Sequence, residues 1–191
     1  MTEKKSDVNG LVKKNKDCIG YVEIPGTTIS YPVMQTKDNP DFYLNHDFNR
    51  NYSFYGTPYL SAYCDVNKSD NLIIYGHNMK NGSMFGSLKQ YKNDGFYEKN
   101  AYFTVFTEDA AYRYQIFAYS DVPEDSDVYT TGYLPDETFD GFLTELLKSS
   151  YKDTGVAVGK DDKVLTLSTC SGDGLRFVVH AVRVDEHESG M

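Results

Sequence analysis

The chain of 191 residues has no tryptophan, three cysteines and six prolines. It has no apolar run long enough to cross a bilayer, and its opening MTEKKSDVNG lacks the hydrophobic stretch of a secretory signal. Those two absences leave a cytosolic protein, or a chain whose leader or anchor is missing from the sequence. Cys18, Cys64 and Cys170 show no CxxC spacing, which excludes zinc-ribbon and thioredoxin-type sites. An odd count leaves at least one thiol free in a monomer, and a Cys18–Cys64 pair stays open. Basic charge is in deficit, with 19 Lys and Arg against 28 Asp and Glu for a net charge of −9, so a nucleic-acid partner is not expected. No His, Cys, Asp and Glu cluster has metal-ligand spacing. The pairs Asp161-Asp162 and Asp185-Glu186 read as solvated charges, and neither metal nor cofactor is expected. Repeats and low-complexity tracts are also lacking.

What is present is tyrosine, 17 of them beside 11 phenylalanines, a composition that suits β-sheet and half-wet surfaces. Residues 1–17 are polar and lysine-rich, with Val8, Leu11 and Val12 as apolar anchors, and read as a short helix or a linker. Extended runs follow at 18–24 and 28–34 around the turn dipeptide Pro25-Gly26. Further runs come at 58–63, 71–75, 101–107 and 111–120. Residues 39–45 suit a helical turn or two, and 84–91 show helical spacing behind a capping Ser83. The clearest helix covers 136–150, where Phe139, Phe142, Leu143, Leu146 and Leu147 form a stripe behind an Asp136 cap. Seven or eight short strands with few helices between them predict one mostly β domain. Its form is a closed or nearly closed barrel of about eight strands with peripheral helices, because helices do not separate most of the strands.

The most telling stretch is VLTLSTCSGDGLRFVVHAVRV, residues 164–184, two β-rich runs joined by the turn residues Ser171 to Gly174. If the loop covers Ser171 to Leu175, Cys170 and Arg176 stand opposite each other on one face, β-carbons roughly 5 Å apart. A thiol and a guanidinium are then held together at the open end of a sheet. A cysteine in such a place is more often packing than chemistry. Among the four histidines, His187 sits in a polar tail and His46 in a polar loop. His180 shares the face of Arg176 within reach of Thr166, as a satisfied barrel histidine. His77 differs, since it follows glycine at the mouth of the buried strand LIIY.

TLSTC followed by RFVV resembles the segment that closes the sortase family. YGHNMKNGSMFGSL resembles the histidine motif of its class B, and IGYVEIPGTTISYPVMQ resembles its opening hairpin, with Tyr21 where many relatives carry tryptophan. These elements fall in the family's order over residues 18–184, and the helix at 136–150 before the cysteine strand is a class B feature. The loop between Cys170 and Arg176 is shorter than in some relatives.

The resemblance implies a catalytic barrel over 18–191, preceded by a helix or linker (1–17) that would follow a membrane anchor absent from this sequence. It implies a cysteine transpeptidase that cleaves a sorting motif after threonine. Cys170 would be the nucleophile, His77 the acid–base residue and Arg176 the group that steadies the carbonyl. Ser168, Leu44 and Tyr129 match substrate-contacting positions. The implied partners are the sorting-signal peptide of surface proteins and an amine of a peptidoglycan precursor, with the protein a monomer on the extracellular face of the membrane. Two other readings are a cysteine hydrolase using the same pair and a non-catalytic extracellular binding module.

Overall fold

The structure, a computed structural model, describes residues 2–184, with side chains from residue 7 onward. His187 and the Asp185-Glu186 pair therefore lie outside the described residues. Eight strands close into a barrel: β1 (Cys18–Glu23), β2 (Ser30–Met34), β3 (Tyr59–Leu60), β4 (Asn71–Tyr75), β5 (Tyr102–Phe106), β6 (Ala111–Pro123), β7 (Val164–Gly172) and β8 (Leu175–Val184). Their order around the barrel is β1-β2-β3-β4-β7-β8-β6-β5, so the expected closed barrel is what the chain forms. Pairs β2–β3 and β4–β7 are parallel and the remaining pairs antiparallel.

Alternation sorts the two sides of each strand. Leu165 and Leu167 of β7 and Phe177, Val179 and Ala181 of β8 fill the lumen with Val22, Val33, Leu72 and Val105. Helix α2 (Phe96–Lys99) and a 3₁₀ segment, Gly86–Lys92, bring Tyr97, Leu88 and Tyr91 to the same core. Helix α3 (Glu137–Ser149) lies outside the barrel, its Phe139, Leu143 and Leu146 buried against Val164, Val178 and Val182. Burying each of these side chains stabilises by about 1.5–3 kcal/mol. Asp136 caps the helix as its sequence suggests, accepting from the N–H groups of Thr138 at 2.9 Å and Phe139 at 3.3 Å. Helix α1 (Thr2–Lys14) packs Val8 and Val12 into a third cluster with Tyr43 and Tyr59.

The segment expected as a helix from Met84 behind a Ser83 cap is different. Met84 takes the left-handed conformation (φ 52°), and the Ser83 hydroxyl bonds to Asn81. The helix starts only at Gly86 and is 3₁₀. Three residues per turn put Phe85, Leu88 and Tyr91 on one line, and all three are buried. Cys18 and Cys64 are both free and buried, so the pair left open by sequence does not form.

His180 does bond to Thr166, Nδ1 to hydroxyl at 2.8 Å, but it lies on the outer face of β8, stacked on Phe117 beneath the α3 cluster. Its Nε2 has no protein partner, so it is only half satisfied. Burial pushes its pKa from 6.5 down to about 3. The unfolded chain takes up this proton near pH 6.5, before the native state does. Stability present above pH 6.5 is therefore lost as the pH falls toward 3, by up to about 1.4 kcal/mol per pH unit. Urea unfolding between about pH 7 and pH 4 should show the loss, and His180→Asn should flatten it. Equal slopes in the two proteins would assign the acid sensitivity to other groups.

Candidate active site

Segments distant in sequence meet where β4, β7 and β8 end. Tyr75 pairs with Ser168 across the parallel β4–β7 ladder, and the Gly76 N–H extends it by donating to the Ser168 carbonyl at 3.0 Å. Cys170 is two residues beyond that last pair within β7, and His77 is two residues beyond the end of β4, so both leave the same end of the ladder. Gly76 is required just before His77, because a Cβ there would lie 2.5 Å from the fully buried Phe85 ring. The backbone beyond is tied down from both sides. Phe85 N–H donates to the His77 carbonyl at 2.8 Å, and Asn78 Nδ2 donates to the Cys170 carbonyl at 2.8 Å.

Cys170 is free, exposed and directly across the hairpin from Arg176, the register expected from the turn residues. The Arg176 guanidinium donates to the Glu124 carboxylate at 3.0 Å and to the Leu175 carbonyl at 3.3 Å. His77 Nε2 donates to the Leu44 carbonyl at 2.5 Å. A carbonyl only accepts, so Nε2 carries the proton and Nδ1 is the nitrogen with no partner among the described residues. His46 is placed elsewhere, stacked on Phe42 at 3.9 Å with Nδ1 on the Phe42 carbonyl at 2.7 Å.

Cys170, His77 and Arg176 line one cleft of about 660 Å³, a size that suits an extended peptide segment. Leu44, 43% exposed on the 3₁₀ turn Phe42–Leu44, forms one wall. Tyr129 forms another, on the 3₁₀ turn Asp127–Tyr129. It is no surface aromatic: its hydroxyl bonds to Ser168 Oγ at 2.8 Å and its ring stacks on Tyr75 at 6.0 Å. Ser168 shares the face of Cys170 but is 2% exposed and does not line the cleft, which it meets only through Tyr129. Tyr59, beside Tyr75, donates to Asp41 at 3.2 Å. Burial pushes the Tyr75 phenol up to about 12 and raises those of Tyr59 and Tyr129, so this tier is uncharged near neutrality. Asp41, Glu124, Asp125 and Asp127 also line the cleft, a field that favours a neutral or cationic peptide over an acidic one. Among the described residues, no group of three or more His, Cys, Asp and Glu side chains is disposed to hold a metal.

Sequence reasoning gave no role to Asn78, Tyr75, Tyr59 or Glu124. Asn78 follows directly on the histidine, which was a usable signal. Glu124, 52 residues from Arg176, offered none.

The chain matches the sortase domain model over residues 22–184. It is 34% identical to Sortase B of Listeria monocytogenes over 88% of this chain and 68% of that protein. In structure it resembles Clostridium perfringens sortase B with a TM-score of 0.87 at 33% identity, over 93% of this chain and 99% of that one. It also resembles a Staphylococcus aureus sortase B–substrate complex, TM-score 0.88 at 29% identity, over 95% of this chain and 86% of that one. The barrel, the cleft and these likenesses agree: the chain belongs to the sortase family of cysteine transpeptidases, and within it to class B.

Proposed function

We propose that this protein cleaves a sorting-signal peptide after threonine and passes the acyl group to an amine of a cell-wall precursor at the outer face of the membrane. The observation that carries the reading is the meeting of Cys170, His77 and Arg176 in one cleft, each held by a strand end. Cys170 attacks the threonine carbonyl as its thiol proton passes to His77 Nδ1, the amide C–N bond breaks as the thioacyl bond forms, and His77 hands that proton on to the departing amine. Arg176 meets the oxygen on which negative charge gathers. Leu44, Tyr129 and, through Tyr129, Ser168 position the peptide. Supporting a peptide occupant is the substrate complex of the Staphylococcus aureus relative, and supporting surface proteins as its source is the sortase family itself.

The Arg176–Glu124 pair does not stand in the way. Its side chains are 31% and 63% exposed, and exposed ion pairs contribute about 1 kcal/mol or less. A developing oxyanion outcompetes it.

Incubating the enzyme with a peptide built around a threonine-glycine core, with and without triglycine, tests the function. A ligated product supports transpeptidation, whereas cleavage alone in both samples points to a hydrolase. In the same assay Arg176→Ala should lose on the order of 10²-fold in turnover, about 3 kcal/mol. Arg176→Lys should recover little, because a point charge on a flexible stem does not reproduce the guanidinium fork. Recovery of the alanine variant in alkaline buffer would reduce Arg176 to a charge that assists thiol ionisation.

A further inference from the structure

The loop at residues 45–58, which joins the 3₁₀ turn Phe42–Leu44 to β3, turns its aromatic rings away from the protein. Tyr52 and Phe54 are 74% and 71% exposed and Tyr55 is 43% exposed, with the Phe54 and Tyr55 rings edge to face at 6.3 Å. A lone exposed ring is ordinary, whereas neighbouring ones on one loop mark a contact surface. The backbone beneath leaves these rings no way inward. Ser53 N–H donates to the Asn45 carbonyl and Thr57 N–H to the Tyr43 carbonyl, each at 2.9 Å. Gly56 is left-handed (φ 61°), and a Cβ there would lie 2.5 Å from the Leu44 carbonyl oxygen.

A second feature adjoins the loop. The last turn of α1 and the residues after it read Lys13-Lys14-Asn15-Lys16, and Asn15 Nδ2 donates to the Phe48 carbonyl of the loop at 2.7 Å. All three lysines are exposed, with no ion-pair partner among the described residues. The acids nearby are already engaged. Asp17 bonds to Arg50, whose guanidinium lies over the Phe42 ring at 4.4 Å. Asp47 accepts from the N–H groups of Asn49 and Asn51 at 2.9 and 3.0 Å, and Asp41 accepts from Tyr59 in the cleft. In a chain of net charge −9, this surface is left cationic.

We propose that the aromatic loop and the Lys13-Lys14-Lys16 cluster dock the barrel on a bilayer face that contains anionic phospholipid. Tyrosine and phenylalanine rings gain by entering the headgroup boundary, and lysines beside them gain from lipid phosphates. Charge alone would suit any polyanion. The exposed Phe54 ring decides for lipid, since a soluble polyanion offers it nothing apolar to enter. Leu44, a wall of the peptide cleft, directly precedes the loop, so docking holds the cleft mouth close to the bilayer. No step of the transpeptidase chemistry depends on this contact.

The test sediments the 191-residue protein with vesicles of phosphatidylglycerol and phosphatidylcholine in equal parts, and with phosphatidylcholine alone. Wild type should bind the mixed vesicles, and more weakly in high salt. The triple change Lys13→Gln/Lys14→Gln/Lys16→Gln and the double change Tyr52→Ser/Phe54→Ser should each weaken that binding about tenfold or more. Both variants should keep the wild-type circular dichroism and cleave a donor peptide in solution at the wild-type rate. Because the chain has no tryptophan, Phe54→Trp places a single fluorophore on the loop, and its emission should move to the blue on the mixed vesicles. Wild-type protein that stays in the supernatant with both vesicles overturns the proposal. So does sedimentation that Tyr52→Ser/Phe54→Ser leaves unchanged and that gives no emission shift in Phe54→Trp, which would make the surface a polyanion site. Loss of peptide cleavage by wild type would overturn the transpeptidase reading alone.

Discussion

Cys170→Ala is expected to abolish cleavage and ligation of a matching peptide while the barrel stays folded. The thiol is exposed at a strand end, so its removal opens no cavity, and circular dichroism of the variant should match wild type. No other thiol can substitute. Cys18 and Cys64 are 2% and 1% exposed, and burial pushes both thiols up, away from the reactive thiolate. Iodoacetamide applied to the native protein should therefore label Cys170 alone and stop turnover with the same stoichiometry. Activity retained in the alanine variant would remove Cys170 as nucleophile and leave the cleft with a binding function only.

His77→Ala should lower turnover by roughly 10² to 10⁴, the usual worth of a positioned acid–base group. The imidazole is held by one hydrogen bond to the Leu44 carbonyl, which fixes the tautomer and leaves Nδ1 for the proton traffic. Both half-reactions should slow, since the leaving amine needs a proton and the incoming amine must lose one. Thioacyl formation can be followed by mass spectrometry and ligation by chromatography. His46→Ala, by contrast, should stay near wild type in the same assays, because that ring packs on Phe42 and bonds to its carbonyl without lining the cleft. A variant pattern with His46 essential and His77 dispensable would reverse the assignment.

Those two residues were legible in the sequence for different reasons. Cys170 and Arg176 are separated by a short turn, and register across a hairpin follows from the turn, so their pairing could be worked out from local chain alone. His77 was singled out by its place after a glycine at the end of a buried strand, together with the family motif. The barrel followed from strand count and alternation, and the α3 stripe and its Asp136 cap were local patterns too. What escaped was long-range or backbone-borne. The Leu44 carbonyl that holds His77 is a main-chain atom, and no side-chain pattern announces it. Glu124 reaches Arg176 through strand pairing that only the closed barrel defines. Helical spacing at 84–91 could not separate 3₁₀ from α because Phe85, Leu88 and Tyr91 suit a three-residue turn as well. His180 has the face and the Thr166 partner expected of it, and only its unpartnered Nε2 was not legible, since alternation says which residues share a face and not what α3 lays over them.

The parallel β4–β7 ladder divides labour in the enzyme. Cys170 lies within β7 and His77 two residues past β4, neighbouring strands locked over five consecutive register pairs that hold their backbones in one frame. Leu44, Glu124 and Tyr129 stand instead on turns and strand connections at the rim. Substitutions at Glu124 and Tyr129 can alter which peptide is accepted without touching the Leu44 carbonyl that holds the imidazole. A lineage can thus exchange its client proteins by drift in the rim while the chemistry stays fixed.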